Sequence, residues 1–388
     1  MKIISVFNNK GGVGKSTLCF HLACALNEMG KKVLLLDLDP QCNLTICGMK
    51  EEQLHAIWEE EEPFIDDYES AWKSDELVEK VLESPRSIHF LLKATEEGVN
   101  ELENYPNPIK LYDNLDLIPG RLSIHQYENK IAERWSSVYQ GDNLGIRTIT
   151  NIRRICEKYN EINKYDYILV DTSPSLGVLN KVIISTVDGF FIPTQPDMFS
   201  LYGIRNIGTS LVLWQKEFNV IYTLLSEDKR NKFPPKFVQF IGYTLYNARV
   251  YTNGNNEYDL AKAHYAYAQR IPSVINEYIK SENRIESDNL EKPIGGKAVM
   301  HLVLMEIFSV RADCFFIPFF NDIMSIVQEK MYMDVDDVCA ILGVSKAYAY
   351  NLMREYNKEL KAKGYIVVAG KISTKFLAEK IYGMKVED

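Results

Sequence analysis

Apolar and polar positions alternate in blocks along the first two thirds of the chain. A short apolar run, "KIISVF", hands over to "NNKGGVGKST" and then to "STLCFHLACALNEMG", where Leu18, Leu22, Leu26 and Met29 recur on one helical face and Gly30 is placed to end the helix. "KKVLLLD" follows, a continuous aliphatic run that suits a strand buried on both faces. Residues 50 to about 110 break this texture. They are polar, contain "WEEEEPFIDDYE", and read as an insertion of helices and loops; the acidic run is expected to be a solvated face, with a partner-binding patch as the alternative. The first pattern resumes with "NLDLIPG" at 114, "YDYILVDTSPSLG" at 165, "GFFIPTQPD" at 189 and "FVQFIGYTLYN" at 237. Short apolar strands alternating with amphipathic helices predict an α/β fold, a mainly parallel twisted sheet with helices on both faces.

Past residue 284 the texture changes twice. Residues 285–330 mix a glycine turn, "PIGGK", with the helical spacing of "AVMHLVLMEIFSV"; they read as a connecting segment, and "FFIPFF" at 315 reads as core. Residues 331–388 read as a small separate domain. Val335, Val338, Ile341 and Leu342 mark one helix, Gly343 a tight turn, "VSKAYAYNLMREYNKEL" a second helix, Ala369–Gly370 a β-hairpin, and a last helix closes the chain. Residues 1–284 form the α/β domain.

The glycines stand where a strand becomes a helix, which is the context a phosphate-binding loop requires. In Gly11–Gly12–Val13–Gly14–Lys15–Ser16–Thr17 the glycines let backbone N–H groups close around phosphate oxygens, Lys15 can reach the β- and γ-phosphates, and the Ser16 hydroxyl can ligate Mg²⁺. Lys10 is a second cation that such a loop does not need. Two strand ends supply acids. Asp171 follows four apolar residues, a Walker B pattern that holds Mg²⁺ through water. Asp37 and Asp39 end "LLLDLD", where Pro40 suggests that the chain turns; Asp39 is a candidate to orient attacking water and Asp37 an outer Mg²⁺ residue.

In their order along residues 1 to about 250, "KGGVGKST", "DLDPQCN", "NLDLIPG", "YDYILVDTSPSLG" and "FIPTQPDMFSLYG" resemble the ParA family of deviant-Walker-A ATPases. The resemblance implies a ParA-like P-loop NTPase fold, ATP and Mg²⁺ as cofactors, and an ATP-sandwich homodimer in which Lys10 reaches the phosphates held by the other subunit. It implies that Pro196, Asp197 and Asn247 lie near the adenine base. Ser173 stands where many members have proline. It further implies DNA binding, a ParB-like centromere-binding partner, a cytoplasmic, nucleoid-associated location, and a role in partitioning a plasmid, prophage or chromosome. MinD-like relatives continue differently after "DLDP" and end in a membrane-binding helix, whereas "TKFLAEKIYG" here has little apolar bulk, so no membrane is expected. Iron–sulfur members need paired interface cysteines, and none lies between Cys47 and Cys156.

Charge refines the picture at the carboxyl end. The chain has a formal net charge of −9, yet residues 346–385 hold nine Lys/Arg against three acids. With the helix–turn–helix spacing, this resembles a winged helix-turn-helix of the excisionase or MerR kind, with Lys346, Tyr348, Tyr350 and Arg354 facing DNA and Lys371 near a phosphate. That domain leaves open an alternative, an ATP-gated, sequence-specific regulator of a mobile element or defence locus. Seven cysteines without a C-x-x-C pair, and no leader pattern ahead of the loop, are expected of free thiols in a reducing compartment.

Overall fold

A computed structural model describes residues 1–246, 256, 260–285, 292–294, 332–333, 335, 338–339, 346–362, 372–373, 376–377 and 380. Asn247, most of the 285–330 connecting segment with "FFIPFF", Gly343, the Ala369–Gly370 hairpin and Lys371 lie outside the described residues. The chain divides into two compact units, Met1–Ala312 and Asp313–Asp388.

The first unit is built on seven strands: β1 (Lys2–Val6), β2 (Val33–Asp37), β3 (Ile109–Tyr112), β4 (Leu115–Ile118), β5 (Tyr167–Asp171), β6 (Gly189–Thr194) and β7 (Gln239–Leu245), in the order β3-β4-β2-β5-β1-β6-β7. All neighbours are parallel except β3, which pairs antiparallel with β4. The buried strands are the aliphatic runs read from the sequence. β3 was not among them: a four-residue edge strand with alternating exposure and a lysine gives a weak signal, and such features also protect an edge from further pairing.

The helices are α1 (Lys15–Glu28), α2 (Asn43–Gly48), α3 (Glu51–Asp66), α4 (Tyr68–Ala71), α5 (Asp75–Glu83), α6 (Ile88–Glu97), α7 (His125–Val138), α8 (Asn143–Asn163), α9 (Val178–Thr186), α10 (Met198–Leu224), α11 (Glu227–Arg230), α12 (Lys262–Ala268) and α13 (Ile271–Tyr278). α1 buries more than the expected stripe. Leu22 and Leu26 are inside, but so are Cys19, Phe20, Ala23 and Cys24, because the helix packs on the sheet and is also covered by α2.

The insertion comprises α3 to α6, and its acidic run is not simply solvated. Glu61 is fully buried and accepts from the Ser87 amide (2.5 Å) and hydroxyl (2.6 Å) and from Arg121 (3.3 Å). Glu60 takes buried Arg86 at 2.6 Å, and Glu62 pairs with Arg121. His89 bridges Ser123 (2.7 Å) and Glu96 (2.9 Å), and Glu96 also binds Lys93 (2.7 Å). Composition made this segment look loose; pairing lets its charges enter a core continuous with Phe64 and Phe90.

In the second unit, helix Lys346–Ala362 packs Ala349 and Met353 into a small core with Val335, Val338, Ile372 and Leu377. Tyr332–Met333 pairs antiparallel with Ile372–Ser373, a pairing that local spacing did not suggest.

Candidate nucleotide site

The site lies at the carboxyl ends of β1, β2, β5 and β6. Buried Asn8 pins the start of the loop: its amide donates to the Pro193 carbonyl at 2.7 Å, and its oxygen accepts from the Lys10 amide at 3.0 Å. Gly12 (φ 69°) and Gly14 (φ 78°) adopt left-handed backbone, which favours glycine. A Cβ at Gly14 would also stand 2.9 Å from the Tyr246 ring. α1 begins with no side-chain cap and no acid in its first turn, so its leading N–H groups and positive dipole end are left for an anion.

Lys15 is buried, and its ammonium donates to the Lys10 carbonyl at 3.3 Å. Burial lowers its pKa while Asp171 and Asp39 pull it back up. Ser16 and Thr17 are half-buried at the head of the helix, and Val13 is buried beneath the loop.

Asp171 pairs in register with Val6 on one side and Asp37 on the other. Both of its carboxylate oxygens are buried with no hydrogen-bond partner. Burial first, then the Asp37 charge, push its pKa up to about 8; the nearby Ser16 hydroxyl and Lys15 offset this only in part. An orphaned buried carboxylate beside a P-loop serine fits a hydrated divalent cation such as Mg²⁺. Asp37 differs. Burial raises its pKa to about 6, but its oxygens are engaged by the Thr45 amide (2.8 Å), the Thr45 hydroxyl (2.6 Å) and the Asp39 amide (3.1 Å). Its carboxylate therefore holds the turn after β2. Asp39, also buried, accepts from the Gln41 amide at 2.9 Å, and Cys42 completes the reversal at φ 53°. The chain does turn at Pro40.

Lys10 folds back onto its own chain. Its ammonium lies 2.5 Å from Asp197, 2.8 Å from the Gln195 side-chain oxygen and 5.9 Å from the Phe199 ring centre. Gln195 also donates to the Gly12 carbonyl at 3.3 Å, joining the lysine to the loop. Asp197 caps α10 by accepting from the Ser200 amide at 2.8 Å. Asp197, expected near an adenine base, here accepts from Lys10 and caps α10, and Pro196 beside it is buried. Gln195 was missed, although it stands directly after the end of β6. So was Tyr246, which with Gly14, Thr17, His21 and Pro193 lines a crevice beside the loop. Gly203 lets α10 lie against the loop, where a Cβ would meet Asn9 at 3.0 Å and Asn8 at 3.4 Å. The first turn of α10 then presents Met198, Phe199 and Tyr202, exposed by 46, 66 and 55 %.

On helix Lys346–Ala362, Lys346, Tyr348, Tyr350 and Arg354 are exposed while Ala349 and Met353 are buried, and Lys346, Tyr350 and Arg354 form one row at four-residue spacing that flanks the buried side. Among the described residues no helix is long and apolar enough to cross a membrane.

Comparison with known proteins agrees with this geometry. Residues 1–223 match the family model described as an AAA domain. An uncharacterized protein of Methanocaldococcus jannaschii is 32 % identical over 209 residues, 53 % of this chain and 63 % of that protein. The sporulation initiation inhibitor protein Soj of Bacillus subtilis is 28 % identical over 218 residues, 56 % of this chain and 68 % of Soj. The chain spans 63 % of the Methanocaldococcus protein and 49 % of an uncharacterized Mycobacterium tuberculosis relative. The crystal structure of protein DIP2308 from Corynebacterium diphtheriae superposes with a TM-score of 0.56 at 25 % identity, covering 72 % of this chain and 89 % of that one. With a glycine loop, a strand-end acid and a strand order that suit nucleotide binding, this chain belongs to the AAA-domain family and has a ParA-like P-loop NTPase fold.

Proposed function

We propose that the protein is a Mg²⁺-dependent ATPase that dimerises around ATP, binds DNA and acts in partitioning a plasmid, prophage or chromosome, from the cytoplasm and the nucleoid. The observation that carries this reading is the convergence of Lys15 and the orphaned Asp171 at a glycine loop that also carries Lys10. Lys15 would neutralise the phosphates of its own protomer. Lys10, once released from Asp197, would stabilise charge developing on the partner's γ-phosphate, as an arginine finger does. Asp39 would orient the attacking water, and Ser16 with Asp171 would hold Mg²⁺, which supplies charge neutralisation between the phosphates. The Tyr246 crevice is suited to an aromatic base, and the exposed Met198–Phe199–Tyr202 patch beside Lys10 to a dimer contact. A ParB-like partner would stimulate hydrolysis. Sedimentation with and without Mg-ATP tests the reading: wild type should shift from monomer to dimer, Lys10→Ala should bind ATP yet stay monomeric, and a wild-type chain that stays monomeric refutes it.

A second reading is favoured by the exposed Lys346–Tyr350–Arg354 row, which repeats at four-residue helical spacing beside the buried side. In it the second unit is a winged-helix reader of one DNA site and ATP gates its binding. A footprint abolished by Lys346→Glu with Arg354→Glu supports this; salt-sensitive binding to any DNA that survives the double variant refutes it.

A further inference from the structure

The α3–α6 insertion carries a feature that the ATPase chemistry does not use. Tyr68, Trp72, Leu82, Val99 and Leu102 form the floor of a groove of about 640 Å³. Its rim carries Glu69, Glu103 and a single cation, Lys73, while Glu101 is turned away onto Arg154 at 2.7 Å. The surroundings are strongly negative. Residues 51–104 contain seventeen Asp and Glu against four Lys and Arg, a net of −13, which Arg121, Arg154 and Lys158, reaching in from outside the segment, offset only in part. Such a field repels nucleic acid and attracts cations, and the aromatic floor offers a desolvated seat for one bulky apolar side chain.

We infer that this groove docks a cationic polypeptide segment of a partner protein, with Lys or Arg residues flanking an aromatic or leucine anchor. The anchor fills the space over Trp72, and the flanking cations meet Glu69 and Glu103. The groove is joined to the nucleotide site through the chain and its hydrogen bonds. Val99 follows α6, whose first residue, Ile88, donates to the Pro119 carbonyl at 2.9 Å. The next residue, Gly120, donates to the Thr45 hydroxyl at 2.8 Å, and Thr45 holds Asp37. The inference goes beyond the ATPase reading, and its test is a binding measurement, so either can fail without the other.

The test uses the full chain. A displayed library of random twelve-residue peptides is selected on wild-type protein, and an enriched peptide is synthesised with a variant lacking its bulky residue. Expected are Lys/Arg-rich peptides with one aromatic or leucine, quenching of Trp72 fluorescence (absent in Trp72→Phe), and affinity lost at least tenfold in Glu69→Lys/Glu103→Lys and in raised salt. Both rim residues are exposed, so the double variant should fold, which its circular dichroism checks. The inference is overturned by any of four results: no enrichment, uncharged consensus peptides, equal binding to the double variant, or a Trp72-dependent self-association showing that the groove is a contact between copies of this chain.

Discussion

Replacing Asp197 with Asn separates its two tasks. Asparagine caps a helix about as well as aspartate, so the Ser200 contact at the start of α10 is kept while the charge facing Lys10 is removed. Burial opposes the Asp197 charge, yet Lys10 and Ser200 hold its carboxyl below the usual range. The ion pair is short, 2.5 Å, but the side chains are 22 and 35 % exposed, which limits its worth to about 1 kcal/mol. If Lys10 must leave Asp197 before reaching a second subunit, each dimer breaks two such pairs. The variant should then favour the ATP-bound dimer by about 2 kcal/mol, roughly a 30-fold lower dissociation constant. Sedimentation equilibrium in Mg-ATP measures this, with ATP affinity followed in parallel. An unchanged or weaker dimer at unchanged ATP affinity would refute the holdback, and a tenfold loss of ATP affinity would place Asp197 at the nucleotide instead.

Three other outcomes are expected. Because the folded pKa of Asp171 is raised to about 8, the folded state binds more protons than the unfolded chain between the ordinary carboxylate range and pH 8, so stability without metal should fall across that window as pH rises; Asp171→Asn should flatten this dependence in thermal melts and abolish the added stability given by Mg-ATP. Arg121→Ala leaves the fully buried Glu61 without one of its cations and should cost about 3–5 kcal/mol in denaturant unfolding, with Glu61→Gln in the same chain restoring part of it. Gly203→Ala, with its Cβ at 3.0 Å from Asn9, should cost about 1–2 kcal/mol and weaken ATP binding measured by calorimetry, whereas an unaffected affinity would detach α10 from the loop.

What could be read from the sequence was what is local. Strand, glycine loop and helix are contiguous, and so are "YILVD" and its terminal acid, so the loop, Lys15 and Asp171 were all legible with the parallel sheet around them. What escaped depends on residues far apart. The Lys10–Asp197 pair spans 187 positions, and nothing near either residue announces the other. Glu61 sits in a run of four glutamates that looks solvated until Ser87 and Arg121 close over it from 26 and 60 residues away. The pairing of Tyr332–Met333 with Ile372–Ser373 escaped for the same reason. Pro196 and Asp197 were read by analogy of position, which carried no sign of the Lys10 pairing that Asp197 makes.

The bare backbone at Gly203 has a mechanical consequence. With no side chain as a spacer, α10 rests directly on the two asparagines that open the phosphate loop. A displacement of that loop by even a few tenths of an ångström has no soft layer in which to dissipate, so it is passed to the head of a 27-residue rod. The oily residues at that head are therefore placed to move with the loop.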